Sequence, residues 1–205
     1  IDERADLLRG APAQTWPWGL DETFDGIGFV GQHAKAGTPY SHLTHTQSCA
    51  YADLRINDVS IGEYGQMALC AMELGVPTVL ACGEEALARE AEQLTPGVVT
   101  VGVKRGLLPD DLDHLDMESY RKAKLSAVHT APGRARIMIR NGARAAAGKL
   151  REKPDSFGYP DLSPPYVRTA RFREREGQPS RRTRDEHPDS IIELINMPFT
   201  TVKER

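Results

Sequence analysis

Apolar residues cluster in three short runs before residue 104, and between the runs their spacing changes to that of a helix. Ile27-Gly28-Phe29-Val30, bounded by Gly26 and Gly31, predicts a buried strand of a parallel sheet. Val76 to Cys82 and Val98 to Val103 predict two more. After Glu63, the residues Met67, Cys70, Ala71 and Leu74 fall on one face of a helix over 62–74, with Gly75 as its C-terminal stop. Glu84 to Leu94 predicts a second amphipathic helix, with Glu85 and Arg89 one turn apart and Pro96-Gly97 ending it. Leu54 to Asp58 predicts a strand that enters a tight turn at Asn57-Asp58 and returns antiparallel through Val59-Ser60-Ile61. This rhythm predicts an α/β fold, a layered sheet with flanking helices and right-handed crossovers.

Outside this region the pattern is less regular. Ile1 to Leu20, broken by Pro12, Pro17 and Gly19, predicts a short helix or turn followed by a loop, with Trp16 and Trp18 as packing or interface residues. Asp21 to Phe24 predicts a turn before the first strand. Leu108 to Asp116 predicts an acidic loop and Met117 to Ala127 a helix. Thr130 with Pro132 predicts the start of a helix running to about Leu150, whose Arg134, Arg136, Arg140 and Arg144 form a solvated face or subunit contact. Four prolines between Pro154 and Pro165 predict a linker. Tyr166 to Phe172 alternates like an edge or half-exposed strand, the charged stretch Arg173 to Glu186 predicts a mobile loop, and Ser190 to Asn196 predicts a short element packing back on the body. The organisation expected is one domain over 1–205: a core over 1–150, then linker, strand and tail over 151–205.

Composition narrows the function classes. The 205 residues suffice for one domain with a real core. A formal net charge of -3 argues against an electrostatic nucleic-acid binder. No apolar run approaches the roughly 20 residues that span a bilayer, so no membrane partner is expected. Cys49, Cys70 and Cys82, scattered and odd in number, predict reduced thiols and a cytoplasmic location. The chain starts with Ile, so it is expected to be a fragment or processed form.

The candidate chemistry gathers after the first strand. Gly31-Gln32-His33-Ala34-Lys35-Ala36-Gly37-Thr38 runs on to Ser41-His42-Leu43-Thr44-His45, placing three of the six histidines in thirteen residues. His33 lies just past the strand end, where α/β sheets gather ligands, and is a candidate metal ligand. His45 is a candidate acid/base group in the same loop, and His42 a weaker candidate. Glu63 occupies the apolar helix face in the first turn, where a carboxylate is costly unless paired, protonated or metal-bound. His114, His129 and His187 lie in polar surroundings and are expected at the surface. No zinc ribbon, His-Glu-x-x-His, P-loop, dinucleotide fingerprint or Gly-x-Ser-x-Gly elbow is present.

Taken together, several segments resemble the M55 metallopeptidases, the D-aminopeptidases. They are Asp21-Glu22-Thr23-Phe24, the stretch from Gly31 to Pro39, His45-Thr46, Ile56-Asn57-Asp58 and Ile61-Gly62-Glu63-Tyr64-Gly65, then Val76 to Leu80, Glu90 to Leu94 with Pro96, and Val103-Lys104-Arg105. The resemblance implies a two-zinc peptidase, working as a homo-oligomer, that removes N-terminal D-residues from short peptides. It makes His33 and Glu63 metal ligands and His45 the catalytic histidine. The family's remaining ligands lie in an Asp-x-Glu-Gly segment and an Asn-Asp-x-His segment, neither of which occurs in these residues, so the metal site is expected to be incomplete and the N-terminal strand and helix of the family fold missing. Three functions follow as expectations: a D-aminopeptidase as part of a longer protein; a truncated, non-catalytic remnant or subunit; or an amidohydrolase acting on another small amide.

Overall fold

A computed structural model describes residues 3–10 and 15–202. Pro12, one of the breakers expected near the start, lies outside the described residues. Trp16 and Trp18 stack with ring centroids 4.2 Å apart, and Trp16 exchanges hydrogen bonds with Asn196 and packs on the core.

Two four-stranded sheets share the chain. In the first, β1 (Ile27–Gln32), β4 (Thr78–Glu84) and β5 (Val99–Gly106) run parallel, and β6 (Ala127–His129) adds antiparallel, in the order β1-β4-β5-β6. In the second, β2 (Tyr51–Ile56), β3 (Val59–Ser60), β7 (Tyr166–Phe172) and β8 (Arg181–His187) are antiparallel in the order β3-β2-β7-β8. The α/β class is as expected, but the single layered sheet divides into these two.

Helix α1 (Glu63–Glu73) joins the two sheets. Tyr64 and Ala68 pack with Ala81 of β4, while Leu69 and Cys70 pack with Ile56, Tyr166 and Ala170 of the second sheet and with Ile191 and Leu194 of α5 (Ile191–Asn196). Gly75 stops α1 at φ 72°, with its N–H on the Met72 carbonyl and the Val76 N–H on the Ala71 carbonyl. Helix α2 (Glu85–Leu94) packs Ala86, Leu87 and Ala91 beside α1. On the other face, α4 (Pro132–Glu152) lays Ala146 against Leu80 and Val101 and leaves Arg134, Arg136, Arg140 and Arg144 exposed.

Several expectations need correction. β1 is parallel but not buried: it has one strand neighbour, and Val30 is 65% exposed. The helix from Met117 ends early, as α3 (Met117–Ala123), because the next residues pair with β5 as β6. Ala131, not Thr130, caps α4. β7 is not at an edge, lying between β2 and β8, but it alternates buried and partly exposed residues as the half-exposed expectation has it. Nor is 173–186 all loop, since β8 pairs residue for residue with β7 from Phe172↔Arg181 to Tyr166↔His187. The charges of β8 alternate outward, and its inward Thr183 and Asp185 are buried, Asp185 against Arg168, so the inner row looks polar in sequence although it is buried. At the β2–β3 turn, Asn57 and Asp58 adopt φ 46° and 67°, as a two-residue hairpin requires.

Candidate metal centre

β1 and β4 point their carboxyl ends the same way, and the histidine loop leaves from that end. Gly83 of β4 sits so close to Gln32 that a Cβ there would fall 1.8 Å from the Gln32 carbonyl oxygen. The loop's exit from the sheet is therefore set by backbone contact, one residue before His33.

The loop is held through its own backbone. Glu84, fully buried at the end of β4, accepts from the Ala34 N–H and the His42 N–H, each at 2.7 Å. From the other side, the Tyr120 hydroxyl of α3 accepts from the Gly37 N–H at 2.9 Å and bonds Thr44 Oγ1, while Thr46 Oγ1 accepts from the Ala36 N–H. The buried Lys124 ammonium donates to the Thr38 carbonyl and to Ser41 Oγ. A loop so rich in polar groups can be buried only because these partners satisfy it.

Burial pushes Lys124 down to about 8, against the attraction of Asp111, Glu84 and Asp110. An unfolded lysine titrates near 10.5. Between these values the unfolded chain binds more protons than the folded one, so this group makes stability rise with pH across that window. The unfolding free energy of the wild type minus that of Lys124→Met should therefore climb from pH 8 to pH 10 in denaturant melts. A flat difference would show that the amine titrates normally.

Within this frame His33, His45 and Glu63 converge. Each offers a ligand atom within 4.8 Å of the others, the one such group among the described residues. The imidazole centroids of His33 and His45 are 4.2 Å apart, and His45 Nε2 lies 3.8 Å from Glu63 Oε1. His33 Nδ1 faces the Ala34 carbonyl at 2.9 Å and His45 Nδ1 the Leu43 carbonyl at 2.7 Å. A carbonyl only accepts, so both Nδ1 atoms carry a hydrogen, and in the neutral rings both Nε2 lone pairs are left for a metal. A backbone carbonyl on the far nitrogen is the usual support of a metal-binding histidine. Glu63 opens α1 behind Gly62, which supplies no side-chain cap. Its Oε1 accepts from the Gln47 N–H, and its buried Oε2 has no hydrogen-bond partner. Two free imidazole nitrogens and an orphaned carboxylate oxygen form a donor set suited to zinc.

His42 lies apart, its ring edge-on to His129 with centroids 5.1 Å apart. Burial, with Lys104 and His129 nearby, lowers its pKa against the pull of Glu84. The sequence offered no clear pointer to the loop's holders Glu84, Tyr120 and Lys124. The signal available for Glu84 was a carboxylate directly ending an apolar run; it reads equally well as the first residue of the next helix.

Three comparisons bear on this geometry. The family model for peptidase M55, described as D-aminopeptidase, matches residues 1–176. A D-aminopeptidase of Bacillus subtilis (strain 168) is 40% identical over 106 residues, which is 51% of this chain and 38% of that protein. A solved structure, the zinc-dependent D-aminopeptidase DppA from Bacillus subtilis, described as a self-compartmentalizing protease, superposes with a TM-score of 0.66 at 23% identity, over 85% of this chain and 61% of that one. The chain thus spans well under half the length of the curated relative and about three fifths of the solved one.

Proposed function

Because the chain belongs to the M55 family of D-aminopeptidases, we propose that it forms part of a zinc-dependent aminopeptidase that releases N-terminal D-residues from short peptides. The observation that carries this reading is the convergence of His33, His45 and Glu63 with both Nε2 atoms and one carboxylate oxygen free. His33 Nε2 and Glu63 would hold zinc, which when bound lowers the pKa of a coordinated water and polarises the scissile carbonyl. His45, fixed through Nδ1 on the Leu43 carbonyl, presents Nε2 to accept a proton from the reacting group and, once protonated, to return it or to donate to the developing oxyanion. Assembly of several copies belongs to the same proposal, by analogy with the self-compartmentalizing relative. So does a reducing, cytoplasmic setting, since Cys49, Cys70 and Cys82 are free.

The spacing of the three donors favours a second arrangement, in which His45 is a third ligand to a single ion. Catalytic zinc commonly takes two histidines and a glutamate. The experiment is a zinc titration with hydrolysis of D-Ala-D-Ala against L-Ala-L-Ala. The D-peptide should be preferred, and equal rates on both would remove the D-specific reading. In His45→Ala, a catalytic His45 leaves zinc bound and removes hydrolysis, whereas a ligating His45 loses both.

A further inference from the structure

Glu90 of α2 is a carboxylate the proposed chemistry does not use, yet it touches both segments that bring the ligands together. Its Oε2 accepts from the Lys35 N–H at 2.9 Å. That N–H shares one peptide unit with the Ala34 carbonyl, on which His33 Nδ1 rests. The carboxylate, the peptide and the imidazole therefore form one chain of hydrogen bonds, each polarising the next. Gly62, which directly precedes Glu63, helps to hold the Glu90 carboxyl down with its N–H. Here the two backbones nearly touch: a Cβ on Gly62 would fall 2.9 Å from the Lys35 Cα. Glu90 Oε1 is buried with no hydrogen-bond partner.

Resting on the reading of His33 and Glu63 as ligands, we propose that Glu90 is a positioning residue for the metal centre. Through the Ala34–Lys35 peptide it holds and polarises the Ala34 carbonyl that takes the His33 Nδ1–H, and through Lys35 it fastens the histidine loop where that loop meets Gly62 at the start of α1. Burial raises the Glu90 carboxyl to about 7, against the Lys35 and Gly62 N–H groups that hold it down, and the Glu63 charge adds to the rise. Keeping such a group costs stability, as expected of one retained for a site rather than for packing.

The test uses the 205-residue chain with Glu90→Met, which fills the space without an acceptor, and Glu90→Gln, which keeps one. Nitrogen NMR of the metal-free chain reads the His33 tautomer, and hydrogen exchange reads the Lys35 amide. In Glu90→Met the Nδ1–H preference should weaken, and Lys35 should exchange at least about tenfold faster, while the Ala34 and His42 amides on Glu84 stay protected. Zinc affinity should fall about 10–100-fold, the range for an outer-shell partner of a ligand. Glu90→Gln should restore the tautomer and most of the affinity, with the His33 Nδ1–H resonance, recorded above pH 8 where Glu90 is ionised, moved upfield as the polarising charge is lost. A wild-type tautomer and Lys35 exchange in Glu90→Met would overturn the proposal. So would an unmoved Nδ1–H resonance in Glu90→Gln, even if Glu90→Met does not fold. If the wild-type chain binds no zinc but the NMR responses hold, the metal reading fails and the control of His33 by Glu90 stands.

Discussion

Replacing His33 with alanine should remove the stabilisation that zinc confers while leaving the metal-free chain within about 1 kcal/mol of the wild type. Without metal, His33 contributes one hydrogen bond, to the Ala34 carbonyl, and is only half buried. Its other nitrogen lies in a group where Glu63 Oε2 is buried and unpartnered. Metal-free, these residues are therefore a cost to the fold rather than a support. Zinc at a hundred times its Kd stabilises a folded chain by about 2.7 kcal/mol. For a domain of this size that corresponds to a rise in Tm of about 5–10 °C. The wild type should show this rise, and His33→Ala should show none at the same zinc concentration. Losing a ligand should weaken affinity by more than the roughly 10–100-fold of an outer-shell change. Thermal melts with and without zinc decide it. Equal shifts in the two chains would remove His33 from the site.

Asp185→Ala should cost about 3–5 kcal/mol, because it strands a buried guanidinium. Arg168 and Asp185 are 3% and 1% exposed at the side chain and meet at 2.8 Å. Arg168 also donates to the Ile195, Met197 and Pro198 carbonyls and lies over the Phe199 ring at 4.0 Å. Asp185 Oδ1 accepts from the Thr200 N–H. The pair therefore ties β7 and β8 to the chain beyond α5. Denaturant melts should show the loss as a drop in midpoint, and the double change Arg168→Met with Asp185→Leu should recover most of it, since apolar replacement of a buried pair is near neutral. Burial raises the Asp185 carboxyl, but hydrogen bonds from Arg168 and Thr200 and the guanidinium charge outweigh it and hold the pKa below the usual range. A depressed carboxylate adds stability above its unfolded pKa of about 3.9 and loses it as pH falls through the folded value. The difference between wild type and Asp185→Ala should therefore be constant near neutral pH and shrink below about pH 4. A wild-type midpoint for Asp185→Ala would show that the pair carries no load.

What could be read along the chain was local. Gly75 marks the end of α1 because only its left-handed backbone completes that stop. Asn57-Asp58 marks the hairpin because both residues tolerate positive φ. Both signals act within a few residues, so tertiary context did not override them. The second sheet was poorly legible because its inner row carries Arg168, Thr183 and Asp185, and a paired buried charge has the same letter as a solvated one. β6 was hidden for a different reason: three residues carry too little pattern to announce a strand, and pairing with β5 decides the matter.

By itself the sequence determined the α/β class, the positions of the main helices and parallel strands, and a histidine loop followed by a helix that opens with a carboxylate. These follow from spacing, because hydrophobic period and turn chemistry act within a few residues. The tertiary structure decided that His33, His45 and Glu63 meet while His42 turns away, and that Glu84, Glu90, Tyr120 and Lys124 hold the loop. Those partners come from residues 42 to 86 positions away along the chain. A hydrogen bond depends on distance and direction in space, and no local pattern records which distant peptide a buried carboxylate will face.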